Sequence, residues 1–177
     1  IERYYGEDLK QQGLKFPEVK DPEPLFYTFS KQENDIFEET IRLLVYEFKY
    51  ARYKPLTYYE GKRAEQEVQA QRNLARFMKI LMVKRLESSF HAFRLTLVRF
   101  IRSYERVIDE FQRGNVYISV KHINKVFEAI EADDQAAIER LLEEDKAERL
   151  SAKDFTADFP RDLNSDLKTL RSIEELW

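Results

Sequence analysis

Few of the residue types that do chemistry stand at the spacing that chemistry requires. The one Gly-Lys pair is Gly61-Lys62. A phosphate-binding loop needs a Gly five positions before that pair and a Ser or Thr after it, and Leu56 and Arg63 stand there instead. Val107-Ile108-Asp109-Glu110 has the form of a nucleotidase acidic motif, in which an apolar strand delivers an Asp to Mg²⁺ and a Glu to the attacking water. Apolar residues continue a helical period on both sides of it, which favours a helix. With no Cys, thiolate metal centres are excluded, and His91 and His122 are too few and too far apart for a histidine-rich metal site or a Cys/His dyad. Glu143-Glu144-Asp145 is a charge run without the apolar surroundings that would raise a pKa for acid catalysis, so it reads as solvated surface. Tyr46, Tyr50, Tyr53, Tyr58 and Tyr59 read as core and rim rather than as a base-stacking platform. No catalytic, cofactor-binding or metal-ligating residue is assigned, and this chain by itself is not expected to be an enzyme.

Charge segregation points further than any motif. The net charge of −3 conceals eleven basic against four acidic residues in 61–106, with an excess of acid in 1–60 and 127–177. A basic middle between acidic flanks suggests a polyanionic partner. Phe90, Phe93, Leu97, Phe100, Tyr104, Val107 and Phe111 recur at steps of three and four, a stripe that packs against another helix. At about 100° per residue, Arg99, Arg102, Arg106 and Arg113 fall opposite that stripe, with Arg94 at its flank. These cations are aimed at solvent or at a partner.

The elements that must position these residues are mostly helices. In 177 residues, 43% are apolar and 36% charged, with only 4 Gly and 5 Pro, which suits long solvated helices around a real core. The expected fold is mainly α, a helical bundle or hairpin with a short N-terminal extended strand. Residues 1–12 read as a helix end capped by Gly13, and Leu25–Phe29 as the strand. Ser30 and Glu33 form a capping box, which predicts a helix from Lys31 to about Arg52. A second helix follows Gly61, with Leu74, Phe77, Met78 and Leu81 as its buried stripe, and Ser88 or Ser89 caps a third beginning near Phe90 and ended by Gly114. Val116-Tyr117-Ile118 is a brief extended connection. Helices are expected from Ser119 and from Asp133 or Asp134, then an irregular stretch over 145–160, then a last helix from near Asp162. The stretch of about 18 uncharged apolar residues that a membrane span needs is absent, as is a signal peptide. The start at Ile1 and a helical pattern running into Trp177 read as cut ends, so the chain is expected to be a piece of a larger cytoplasmic protein.

Two stretches carry a family likeness. Tyr4-Tyr5-Gly6-Glu7-Asp8-Leu9-Lys10-Gln11-Gln12-Gly13-Leu14-Lys15-Phe16-Pro17, followed by Phe26–Phe29, resembles the end of the first RecA-like lobe of bacterial Swi/Snf-type superfamily-two helicases. Lys84-Arg85-Leu86-Glu87-Ser88-Ser89, with Ala92-Phe93 just after, resembles that family's helical segment between the two lobes. The likeness covers 1–30 and about 74–106, and the rest only by order of elements. It implies three parts: the end of the first lobe at 1–30, an inter-lobe helical region at 31–160 and a lead-in to the second lobe at 161–177. The parent would bind ATP and Mg²⁺ and translocate on duplex DNA. The phosphate loop, the acidic Mg²⁺ motif and the arginine-finger region lie outside this chain, which would hold no cofactor itself.

The resemblance carries Lys84 and Arg85 over as DNA contacts, with Ser88 and Ser89 as caps or phosphate donors. Arg94, Arg99, Arg102 and Arg106 join them from the helical projection alone. Expected partners are duplex DNA, bound weakly and without sequence preference, and the RecA-like lobes of the same parent chain; no membrane is expected. An artificial homodimer through an apolar surface bared by excision would be consistent with the same reading. The competing interpretation is a protein–protein interaction module that uses the same apolar stripe and basic face.

Overall fold

A computed structural model describes residues 21–24, 26–118 and 148–177. The expectations for 1–12 with Gly13, for the helices from Ser119 and from Asp133 or Asp134, and for Glu143-Glu144-Asp145 fall outside the described residues, as does the Tyr4–Pro17 motif. The chain divides into two compact units, 1–30 and 31–177. In the first, residues 26–30 carry no regular secondary structure, in place of the expected strand. Phe26 and Tyr27 are exposed, and the Tyr27 and Phe29 rings meet edge-on at 5.5 Å. An aromatic run has strand propensity, but propensity forms a strand only where a partner edge accepts its hydrogen bonds.

The second unit is mainly helical, with one small antiparallel sheet. Helix α1 (Lys31–Arg42) starts where the capping box places it. It ends ten residues before Arg52, in a π-turn at Leu43–Glu47 closed by the Phe48 N–H donating to the Leu43 carbonyl at 2.9 Å. Two short 3₁₀ turns follow, Ala51–Tyr53 and Pro55–Tyr58. Helix α2 (Glu65–Ser88) and helix α3 (Phe90–Gln112) are separated by Ser89 alone, which is extended. Strand β1 (Asn115–Ile118) pairs antiparallel with β2 (Glu148–Ser151), Val116 opposite Leu150. Helix α4 (Asp158–Leu176) begins four residues earlier than expected and belongs to the same unit as the helices before it.

The core lies where α4 packs on α3, α3 on α2, and the 43–58 segment on α2 and α4. Phe93, Leu97, Phe100 and Tyr104 of the α3 stripe are buried, and Phe90, Val107 and Phe111 pack at its margin. On α2 the buried apolar set is Leu74, Ala75, Met78, Leu81, Met82 and Leu86, with buried Gln71 accepting from the Leu56 N–H. Phe77, expected among them, is 38% exposed. It sits about 100° around the helix from the centre of that buried set, so Met82 and Leu86 take the place it was given. The 145–160 stretch, expected to be irregular, instead holds β2 and the turn Ala152–Asp154 over its described residues, and after them Phe155 and Phe159 are buried and stacked at 5.1 Å.

Gly114 ends α3 with φ of 88°, and its carbonyl accepts from the Ala152 N–H at 3.0 Å, which ties the helix end to the turn after β2. Nothing stands within 4 Å of where a Cβ would project. Gly114→Ala should therefore cost only the left-handed backbone penalty, about 1 kcal/mol, in urea unfolding. A loss above about 3 kcal/mol would show that more than backbone strain is at stake.

Candidate nucleic-acid interface

Between Arg72 and Tyr104 the chain carries eight basic residues and one carboxylate, Glu87. That stretch is the C-terminal two-thirds of α2 and the first two-thirds of α3, joined at Ser89, so positive charge is concentrated toward the α2–α3 corner. The other acidic residues of these helices stand at their far ends: Glu65 and Glu67 in the first turn of α2, and Glu105, Asp109 and Glu110 late in α3.

Lys84, Arg94, Arg99, Arg102 and Arg106 are all exposed. Arg99, Arg102 and Arg106 share the side of α3 opposite Phe93, Leu97, Phe100 and Tyr104, in agreement with the projection. Arg94 is roughly 90° around the helix from that group, so it belongs to a neighbouring face. Arg85 is half-buried, because its position turns it toward the packed side of α2, one residue before buried Leu86. Ser88 is exposed as the last residue of α2. Ser89 is the cap of α3: its hydroxyl accepts from the Ala92 N–H at 3.3 Å. Arg113 is drawn out of the basic face by Asp109, at 2.8 Å, and Glu110, at 3.4 Å.

The rejected motifs have plain structural places. Val107-Ile108-Asp109-Glu110 lies inside α3, with no strand to present it. His91 is exposed in the first turn of the same helix, and His122 lies outside the described residues. Tyr50 and Tyr53 are buried, Tyr58 and Tyr59 half-buried, and Tyr46 exposed. Among the described residues there is no group of three His, Cys, Asp or Glu placed to hold a metal ion, and no helix long and apolar enough to cross a membrane.

Sequence reasoning passed over a second polar site. The Asp166 carboxylate, at 0% exposure, accepts from the Lys49 N–H at 2.6 Å, the Ala51 N–H at 2.8 Å and the Tyr104 hydroxyl at 3.0 Å. One turn earlier, Asp162 accepts from Lys49 Nζ at 2.8 Å, from the Tyr58 hydroxyl at 3.1 Å and from Arg161 Nε at 3.2 Å. Burial pushes Asp166 up to about 6, against the pull of its three donors. For Asp162 burial also acts upward, but the hydrogen bonds from Lys49, Arg161 and Tyr58 outweigh it and leave the group below its ordinary value. Burial raises Tyr104 and Tyr58, and the neighbouring carboxylates add to the rise, so both phenols stay protonated donors. Both oxygens of each carboxylate accept from protein donors, three hydrogen bonds apiece, an arrangement that holds the 49–58 turn against α4. The available signal was two Asp four residues apart on the apolar side of a helix, among Phe159, Leu163, Leu170 and Ile173.

Comparison of the chain with protein-family models, with curated proteins and with solved structures yields no match.

Proposed function

We propose that this chain is a noncatalytic helical module of a DNA-dependent ATPase of the Swi/Snf type, placed between two RecA-like lobes and touching duplex DNA phosphates through the basic side of α2 and α3. The observation that carries the reading is the exposure of Lys84, Arg94, Arg99, Arg102 and Arg106 in a stretch that holds only two carboxylates, Glu87 and Glu105. Exposed cations neutralise phosphates and release counterions without reading sequence. The flexible Lys84 stem and the arginine forks suit that task, and Arg85 is the weaker candidate because it is half-buried. Ser88 can donate to a phosphate oxygen. Ser89, already accepting from Ala92, contributes chiefly by fixing the start of α3. ATP and Mg²⁺ belong to the parent, whose ATPase activity this module would serve in the cytoplasm.

The test is fluorescence anisotropy of the chain with a labelled 20-base-pair duplex at about 50 and 200 mM salt. If five cations each meet one phosphate, affinity should fall between those salts by two to three orders of magnitude, roughly. Arg99→Ala/Arg102→Ala should lower the salt slope by about 2 and weaken all duplex sequences alike. Absence of binding at low salt, or binding indifferent to this pair, would overturn the DNA reading. The same stripe and face would then be assigned to a protein partner.

A further inference from the structure

The run from Lys31 to Arg52 contains no Gly and no Pro, opens with a capping box and has the composition of one continuous helix. The structure interrupts it after Arg42 with a π-turn, an extended Phe48 and a left-handed Tyr50 at φ 57°. A non-glycine residue in that region costs about 1 kcal/mol, so something outside the run must hold it there.

Three helices do so. From α2, Lys79 Nζ donates to the Val45 carbonyl inside the π-turn at 2.8 Å and stands 5.7 Å over the Tyr50 ring. From α4, Asp166 takes the N–H groups on both sides of Tyr50, and Asp162 takes the Lys49 ammonium. From α3, Tyr104 completes the Asp166 carboxylate. Within the run itself, the Tyr50 hydroxyl donates to the Leu44 carbonyl at 3.2 Å.

We infer that residues 43–51 form a latched joint, whose own sequence favours continuous helix and whose interrupted form is maintained by Lys79, Asp162 and Asp166. A π-turn holds one residue more than the α-helical turn it replaces. Its conversion to α-helix therefore moves α1 along and around its own axis by about one residue, roughly 1.5 Å and 100°. What opposes that rotation on α1 is the burial of Thr40 and the half-buried packing of Phe37 and Ile41 against the core. Just past α4, Trp177 Nε1 donates to Thr40 Oγ1 of α1 at 3.0 Å. The inference does not depend on the DNA reading.

The chain has no Cys, so spin labels can be placed uniquely by Gln32→Cys and Lys168→Cys, both at exposed positions. Pulsed dipolar spectroscopy on the labelled chain should give one distance. Lys79→Met and Lys49→Met each remove one latch while keeping the aliphatic stem. Each should add a second distance population shifted by up to about 8 Å, the chord of a one-residue rotation at the helix surface. Amide exchange at Ala51 should quicken at least tenfold while Phe100 in α3 keeps its protection. The Lys49 side chain is 44% exposed, so its variant decides the matter if Lys79→Met loses protection throughout. An unchanged single distance in Lys49→Met, or exchange that quickens equally in α3, would overturn the joint.

Discussion

Replacing Asp166 by Ala should destabilise the chain by about 3 kcal/mol at pH 7, measured as a shift of the urea midpoint at unchanged slope. The loss is that of the acceptors more than of the charge. Without the carboxylate, the buried Ala51 N–H and Tyr104 hydroxyl and the part-buried Lys49 N–H lose their acceptor. Each orphaned buried donor costs about 1–3 kcal/mol, and partial opening of the 48–53 turn to solvent recovers some of the sum. Asp162→Ala makes the contrast. Its donors reach solvent more readily, with the Lys49 and Arg161 side chains 44% and 64% exposed, so its loss should be nearer 1 kcal/mol. Equal effects from the two substitutions would sink the view that Asp166 is the keystone of the turn.

The parts of this fold that local chemistry determines were legible in the sequence. Ser30 with Glu33 predicted a helix from Lys31, Ser89 was one of two expected caps for α3, and Gly114 stops that helix in the left-handed conformation glycine tolerates. The three-four spacing of Phe93, Leu97, Phe100 and Tyr104 gave the buried side of α3, and with it the exposure of Arg99, Arg102 and Arg106 opposite. The end of α1 was illegible because its cause is remote. Lys49 and Ala51 owe their conformation to Asp166, more than a hundred residues along the chain, and no window centred on Phe48 contains it. Phe77 was misplaced for a related reason: α2 is apolar on more than one side, and composition alone cannot say which side meets α3. The half-burial of Arg85 follows from the same orientation. Asp162 and Asp166 looked like two more acids in an acidic C-terminal third, when their position among buried apolar residues of α4 was the feature that mattered.

The buried carboxylate should also give the chain an inverted pH response. Asp166 is raised from 3.8 to about 6 in the folded protein, so the fold binds its proton more tightly than the unfolded chain does. The stability contributed by that proton is fully present below about pH 4 and is lost as pH rises through about 6. Over the whole interval it amounts to about 3 kcal/mol, of which roughly half remains at pH 5. Asp162 works the other way: its lowered value contributes stability above the ordinary carboxylate range, lost as pH falls through the folded value below about 4. The two windows are separate, so urea unfolding of the native chain should show stability rising from pH 7 to pH 5 and falling again on deeper acidification. Asp166→Asn cannot titrate, and subtracting its curve from that of the native chain should isolate the rise. In the Asn variant the amide must also set its –NH₂ against the N–H of Lys49 or Ala51, so it should be less stable than the native chain at every pH. That deficit should be smallest near pH 7, where the native chain holds an ionised group in a buried place. A deficit that stays constant from pH 4 to 7 would show that Asp166 titrates alike in the folded and unfolded chain, and that its three donors fully offset its burial.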